Sequence, residues 1–596
     1  MFALYELVLA KVKSNKLVAA AILSFAALTL VHIPLKVLTT LFDKNQAPEF
    51  IVLLFASAAF GIFALLRIKE LPFSKPALFL SIALIGSLIL SAIQSPGFFP
   101  SITGDTLRYA GIASNVALLL VALFHGLFNS QSFSKLINGY LGVLFITEIL
   151  AVLQFFKVIS LPGLQGNPTS TFGNLDFYAA FVGTSFPIIL FAWLGAGKLG
   201  KRLLIGLALL SIVCLRLVDA KQGYLDLVIA ITAVCAFLLY RKSRTEAWHP
   251  RYSLNVRTTI ISIALFVWLE FIFIFPFIGK SIPIIGDDAQ VAIRGVMWLA
   301  GINQFISRPL FGVGPDQYGA FYEQFRTVNS TIVLPGDSSN DAHSATVQTL
   351  ATTGIVGSLI FFLLLVLVIR AIIIIFERDV ENRKRTLALA LYLFIYLTNA
   401  AISPIVLPHK YLLWAIGGYL IFQAARLTSE TETNSSHVRV LQGSLAMFTA
   451  AVLFVGISFS ASQFNFAHWG ETKRANPAAQ VSASISKFLP CHIYFTYIAG
   501  YASSQGDAAV EKLSRDQIAI NPRCYEAQRM LAAIAYNKGD LKALRKQVFI
   551  LIELAPAQRE VLDIANVYAV KAGDKKLEET VKNQLARMGV YTVQVG

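Results

Sequence analysis

Charged residues are scarce in this chain of 596 residues. Asp, Glu, Lys and Arg make up only 14% of it, while 56% of the residues are hydrophobic. A soluble protein carries roughly a quarter charged residues. The composition therefore argues against a soluble globular protein and predicts that most of the chain lies in lipid.

Acidic residues are fewer (34) than basic ones (50), which gives a formal net charge of +16. Such an excess can indicate nucleic-acid binding, but Lys and Arg lie here mostly in short gaps between apolar runs. That distribution is typical of loops that face an anionic cytoplasmic leaflet. We therefore expect membrane lipid, and no nucleic acid, as a partner.

Long apolar runs are the most prominent feature of the sequence. A membrane-spanning helix needs roughly 20 apolar residues. The first run follows three lysines and has no small-residue cleavage site, so it reads as a retained helix. Thirteen runs cover residues 17–41, 49–67, 76–93, 109–128, 136–156, 174–196, 202–218, 223–240, 258–279, 354–376, 386–403, 411–426 and 440–462. They predict an all-α polytopic bundle of about 12–13 spans within a membrane domain over 1–464.

Alternate gaps differ sharply in basic residues. One set contains Arg67, Lys69, Lys75, Lys135, Lys198, Lys201, Arg202, Arg241, Lys242, Arg244, Arg251, Arg257, Arg378, Arg383, Lys384, Arg385, Arg426 and Arg439. The other short gaps contain only Lys44, Arg108, Lys157, Arg216, Lys221 and Lys410. By the positive-inside rule the N-terminus is cytoplasmic. The large loop 280–353 and the chain after 462 then lie on the extracytoplasmic side of a multi-pass membrane protein.

The tail 465–596 turns soluble in composition and contains a recurring unit. Each unit runs from a proline to a Gly-Asp pair: Pro490 to Gly506-Asp507, Pro522 to Gly539-Asp540, and Pro556 to Gly573-Asp574. The last two prolines are 34 residues apart, and the unit resembles a tetratricopeptide repeat, in which Pro closes two antiparallel helices joined by a turn. Glycine is needed where the first helix ends in a left-handed conformation. A generic helical hairpin array is the alternative, and either would be a binding module, with a possible protein partner.

Four cysteines are present. Cys214 and Cys235 lie in apolar runs and are expected to be packing residues. Cys491 and Cys524 fall at nearly the same phase of successive tail units. An extracytoplasmic tail permits a disulfide between them, and two buried thiols are the equal alternative.

Residues 280–360 carry the most informative polar pattern. Arg294 and Trp298 lie on an amphipathic stretch, and a glycine-rich turn follows at 311–315. His343 comes after an Asn-Asp pair and opens an apolar helix at its N-terminus. The positive end of a helix keeps an imidazole neutral and able to act as a base. Asp341 either orients His343 or only caps the helix.

These segments together resemble the O-antigen ligase and polymerase family of lipid-linked glycan transferases over roughly residues 160–425. The motifs that carry the resemblance are Arg294 to Trp298, the turn Pro309-Leu310-Phe311-Gly312-Val313-Gly314, His343 with Gly354-Ile355-Val356-Gly357, Phe172-Gly173-Asn174, and Ser403-Pro404 to Trp414. Two positions depart from the family. Ser344 stands where members usually have Asn. Lys221 stands where many have Arg, and it offers a point charge in place of a planar fork.

The resemblance implies transfer of an oligo- or polysaccharide from a polyprenyl-diphosphate donor, such as undecaprenyl diphosphate, to an acceptor hydroxyl. It also implies inversion at the anomeric carbon and a prokaryotic inner-membrane location. His343 and Arg294 are then the catalytic residues. The cations expected to hold the diphosphate are Arg216, Lys221, Arg294, His409 and Lys410. No paired acidic residues or metal-ligand spacing stand out, so we expect a metal-independent reaction without a cofactor.

The acceptor stays open between a lipid, a glycan and a protein. A transporter of a glycan lipid or small anion is the alternative function. A transporter should carry ionisable residues or broken helices near the bilayer midplane. The candidates of this chain lie at the predicted outer surface, which favours the enzyme.

Overall fold

The computed structural model describes residues 2–31, 46–72, 74–105, 108–160, 167–243, 253–278, 289–333, 338–428, 435–472, 503 and 506–588. Within these ranges the chain is helical and has no strand. The helices up to the large loop are α1 Phe2–Leu30, α2 Ala47–Leu66, α3 Lys75–Gln94, α4 Phe98–Thr103, α5 Ile112–His125, α6 Ser130–Phe155, α7 Leu175–Gly195, α8 Lys198–Val218, α9 Lys221–Ser243 and α10 Leu254–Ile278.

The described part of the large loop contains three helices of its own. It contains α11 Ala289–Ser307, α12 Tyr318–Phe325 and α13 Val328–Val333. The apolar helices that follow are α14 Ala345–Arg378, α15 Arg383–Ile402, α16 Leu407–Thr428 and α17 Ser435–Thr472. The tail contains α18 Asp507–Ile520, α19 Tyr525–Asn537, α20 Leu541–Leu554, α21 Arg559–Ala572 and α22 Lys575–Arg587.

Each of the thirteen predicted apolar runs lies at least partly on one of these helices. Seven described helices are long and apolar enough to cross a membrane: Ala47–Leu66, Lys75–Gln94, Ser130–Phe155, Leu175–Gly195, Ala345–Arg378, Arg383–Ile402 and Arg439–Phe464. Large apolar side chains on them face outward, such as Phe79, which is 71% exposed, as lipid contact requires. The protein is therefore a multi-pass helical membrane protein, and the count of thirteen spans stays a prediction.

Contacts divide the chain into two compact units. The first contains Met1–Ala83, Ala113–Phe271 and Phe361–Ile457, and the second contains Leu84–Ile112, Ile272–Ile360 and Ser458–Gly596. In the first unit α7 packs against α8, α9 and α15, and α1 packs against α2 and α6. Aromatic rings pack against one another in this unit, and the rings of Phe133 and Tyr419 stack with their centres 3.7 Å apart.

The second unit joins the large loop to the tail helices. Arg523 of the tail donates from Nε to the carbonyl oxygen of Ala320 at 3.2 Å, and its guanidinium lies 3.8 Å from the ring centre of Phe321 on α12. Burial, and then the charge of Arg308, lower the pKa of Arg523 to about 10, so its charge persists at neutral pH. The large loop and the tail are therefore in contact through α12 and Arg523.

The tail helices pair through the predicted Gly-Asp turns. Gly539 and Gly573 have φ of 68° and 69°, as expected for glycines that end a helix in a left-handed conformation. The next residues, Asp540 and Asp574, cap the following helices through their side chains. Assignment of these hairpins to the tetratricopeptide class, and the domain boundary after residue 464, stay predictions.

The expectation that Cys214 and Cys235 are packing residues agrees with the structure only for Cys214. Cys214 and Cys235 are free thiols, and Cys214 is buried while Cys235 is exposed. Cys524 is part of a disulfide, and Cys491 lies outside the described residues.

Candidate functional site

His343 lies two residues before the first residue of α14, as the sequence predicted. Its φ is 53°, a left-handed conformation that is uncommon outside glycine and clusters at functional sites. The Asp341 carboxylate accepts the backbone N–H of His343 at 2.6 Å. One residue earlier, the Gln348 side chain accepts the backbone N–H of Ala342 at 2.9 Å. Two side chains therefore hold the backbone that leads into His343.

α14 is broken at Gly354, whose φ is 64° and ψ −166°. The glycine-rich turn is bonded across this break. Val313 and Gly314 donate their N–H groups to the carbonyl oxygens of Ala351 and Thr352, at 2.9 and 3.0 Å. Beyond the break, Ile355 and Val356 donate their N–H groups to the carbonyl oxygens of Pro309 and Leu310, at 2.8 and 3.2 Å.

These four bonds show why the two glycine motifs occur together. Gly312 has φ of 70°, and a Cβ there would lie 2.6 Å from the Ala351 oxygen. Only glycine allows that approach without strain. The break falls at the start of the apolar run 354–376, so it does not place irregular backbone in the middle of a span.

Arg294 projects from the N-terminal half of α11. Its Nε is buried and has no hydrogen-bond partner among the described residues, and a buried polar group normally has such a partner. Trp298 follows one turn later on the same face and is fully buried. It shares one apolar cluster with Ala342 and Val347. This cluster joins the helix that carries Arg294 to the segment that carries His343.

Tyr318 closes the same cluster. Its hydroxyl donates to the Met297 carbonyl oxygen at 2.7 Å. Burial raises the pKa of this phenol well above its usual value, and the nearby Tyr322 and Asp341 act in the same direction. The phenol therefore stays protonated and keeps its hydrogen bond at any physiological pH.

Arg108 also lies at this site, although the sequence analysis did not predict it as a site residue. Its Nε lies 3.7 Å from Oδ2 of Asp341, and both side chains are only 11% exposed. The sequence analysis named Arg108 only as one of the few basic residues in the sparse gaps. Its partner is 233 positions away, so no local pattern indicated the pair.

The remaining predicted cations lie in the first unit. Arg216 is exposed and pairs with Asp219 at 3.1 Å. Lys221 is the first residue of α9 and is also exposed. His409, by contrast, is buried on α16, 2% exposed, with Thr184 Oγ1 at 3.3 Å from its Nε2. Lys410, the next residue, is half-buried. Their binding of a diphosphate stays a prediction.

A buried polar network in the first unit also escaped the sequence analysis. The Gln222 amide donates to Oδ1 of Asn399 at 2.7 Å, and the Asn399 amide donates to Oδ2 of Asp226 at 2.8 Å. Asp226 is fully buried. The network ties the first turns of α9, next to Lys221, to the end of α15. Within the described ranges no three His, Cys, Asp or Glu side chains gather as metal ligands, and metal independence stays a prediction.

Comparison with known families agrees with the resemblance. The model of a family described as O-antigen ligase matches residues 178–362. This stretch includes Arg294, the glycine-rich turn, His343 and the break at Gly354. No curated protein matches the chain. The match supports a membrane enzyme that transfers a glycan.

Proposed function

We propose that this protein is a glycosyltransferase that moves an oligo- or polysaccharide from a polyprenyl diphosphate to an acceptor hydroxyl. The observation that carries the proposal is the arrangement around His343. One cluster joins its left-handed segment to α11, where the buried Nε of Arg294 has no hydrogen-bond partner within the described part of the chain. This arrangement lies within the stretch that matches the O-antigen ligase family.

The chemistry follows from these residue types. The acceptor oxygen attacks the anomeric carbon and forms the new glycosidic bond. The bond between that carbon and the diphosphate oxygen breaks, and polyprenyl diphosphate leaves with the bonding electrons. The imidazole of His343 takes the acceptor proton. The guanidinium of Arg294 stabilises the charge on the leaving diphosphate. Attack opposite the leaving group inverts the anomeric carbon.

We place the reaction on the extracytoplasmic face. The asymmetry of basic gaps supports this side for the large loop. The tail is in contact with the same loop through Arg523, and Cys524 is part of a disulfide. Disulfides persist in oxidising compartments outside the cytoplasm. Both features agree with an extracytoplasmic site.

The test is glycan transfer in proteoliposomes loaded with the polyprenyl-diphosphate glycan fraction of the source membranes. We expect the wild type to produce glycan on an acceptor and to release polyprenyl diphosphate. His343→Ala and Arg294→Ala should each lose at least about a hundredfold in rate, as expected for removal of a base or a charge-stabilising group. Donor extraction and folding should be unchanged.

Three other outcomes would count against the proposal. Normal transfer by both variants would overturn the site assignment. Absence of transfer by the wild type would overturn the proposed glycosyltransferase activity. Movement of the donor between leaflets without transfer would favour the transporter.

A further inference from the structure

One carboxylate bonds the described backbone on either side of Arg108. Oδ2 of Asp316 accepts the backbone N–H groups of Asp105 at 2.8 Å and of Ala110 at 2.9 Å. Gly104 has φ of 89°, and a Cβ there would lie 2.8 Å from the Gly111 nitrogen. One carboxylate therefore closes the turn on both sides of Arg108.

A buried aromatic ring next to Arg108 also packs against another helix. Tyr109, the neighbour of Arg108, is fully buried, and its ring packs edge-on against Phe459 at 5.3 Å. Asp316 directly follows the glycine-rich turn and has φ of 57°. The turn that is bonded across the break of α14 therefore also fixes the backbone of Arg108.

The two oxygens of Asp341 serve different partners. Oδ1 accepts the N–H of His343, and Oδ2 faces the Arg108 guanidinium. Since both side chains of the ion pair are 11% exposed, removal of one charge leaves the other poorly solvated and unbalanced. Asp341 would then move toward water and carry the His343 backbone with it.

We propose that Arg108 is a positioning residue for His343 and acts through Asp341. This inference rests on the proposed function, in which His343 is the base. Arg108 itself makes no contact with the donor in this scheme. Its loss therefore slows the chemical step and leaves the apparent affinity for the donor unchanged.

Three variants separate the roles of the pair. Arg108→Gln removes the charge at a similar size. Asp341→Asn keeps an oxygen that can accept the His343 N–H while it removes the charge that faces Arg108. The double variant has neither charge. Arg326→Gln is the matched control, because it breaks a pair of similar burial, with Glu323 at 3.0 Å, in the same loop.

We expect kcat for glycan transfer, per folded molecule, to fall at least tenfold in Arg108→Gln, with the donor KM within about twofold of the wild type. The double variant should be faster than Arg108→Gln, because it no longer holds an unbalanced carboxylate. Arg326→Gln should retain kcat within about twofold. A donor KM that rises in Arg108→Gln, an unchanged kcat, or a double variant that multiplies the single losses would overturn the positioning role.

A second readout needs no turnover. Diethyl pyrocarbonate modifies accessible imidazoles, and peptide mass spectrometry follows its rate at His343. We expect this rate to rise at least threefold in Arg108→Gln and to stay within twofold in Arg326→Gln. Equal rates in all proteins would overturn the inference even if the wild type transfers glycan. A raised rate without any transfer would leave the positioning of His343 intact and would count against the proposed function alone.

Discussion

The bonding across the break of α14 gives the sharpest structural prediction, through Gly312→Ala. An alanine at φ of 70° costs about 1–2 kcal/mol. Its methyl group would also lie 2.5 Å from the Thr353 nitrogen and 2.6 Å from the Ala351 oxygen, and relief of such crowding costs about 1–3 kcal/mol. These contacts are with backbone, so no side chain can rotate away. We therefore expect a loss of about 2–5 kcal/mol.

The assay is thermal unfolding of the purified protein in detergent, followed by intrinsic fluorescence and by size-exclusion chromatography. For cooperative unfolding of the second unit, which has about 250 residues, a loss of this size should lower the unfolding midpoint by roughly 4–10 °C. Ala351 and Thr352 belong to the helical segment that His343 precedes, so glycan transfer should fall as well.

The matched control is Gly86→Ala. This exposed glycine lies within α3, and an added methyl group there meets no atom within 4 Å. Alanine is favoured over glycine in a helix by up to about 1 kcal/mol, so the midpoint should stay equal or rise. If Gly312→Ala unfolds within about 2 °C of the wild type, the bonded turn does not exist as described.

Three further predictions concern other parts of the chain. Gly418→Ala should lower the unfolding midpoint, whereas Gly417→Ala should not. A Cβ at 418 would lie 2.6 Å from the Cα and the carbonyl carbon of Ala122 on α5, while the nearest atom to a Cβ at 417 is a methyl group at 3.7 Å. Equal midpoints would contradict this packing. Arg523→Ala should speed proteolytic release of the tail about tenfold, since a desolvated cation–π contact is worth about 1–2 kcal/mol, whereas Arg529→Ala, in an exposed pair, should not. Finally, denatured protein should expose two more thiols to maleimide after reduction than before it, and Cys524→Ser should abolish the difference.

Much of the fold could be predicted from short patterns. Apolar runs of about 20 residues identified the helices because a chain that crosses lipid must bond its own backbone and needs about 20 apolar residues to do so. Gly539 and Gly573 marked turns because only glycine adopts positive φ at little cost. The helix that begins after His343 was predicted correctly, since a polar segment before an apolar run is a local signal.

The candidate site was predicted only in part. The family resemblance singled out Arg294, the glycine-rich turn and His343, and the described structure explains how the second and third are fixed. The resemblance did not single out Arg108 or Asp316. Their roles depend on partners more than 200 residues away in sequence, and neither lies in a motif that was recognised.

The sequence by itself determined that this is a helical membrane protein, where its helices lie, and which motif contains the candidate base. Those properties follow from the solvent that each side chain prefers and from backbone preferences of single residues. Only the tertiary structure decided that the glycine-rich turn bonds across the break at Gly354, that Asp341 faces Arg108, and that His409 is buried. Such contacts arise when distant segments pack together, and the energy that selects them is spread over the whole core and absent from any short stretch.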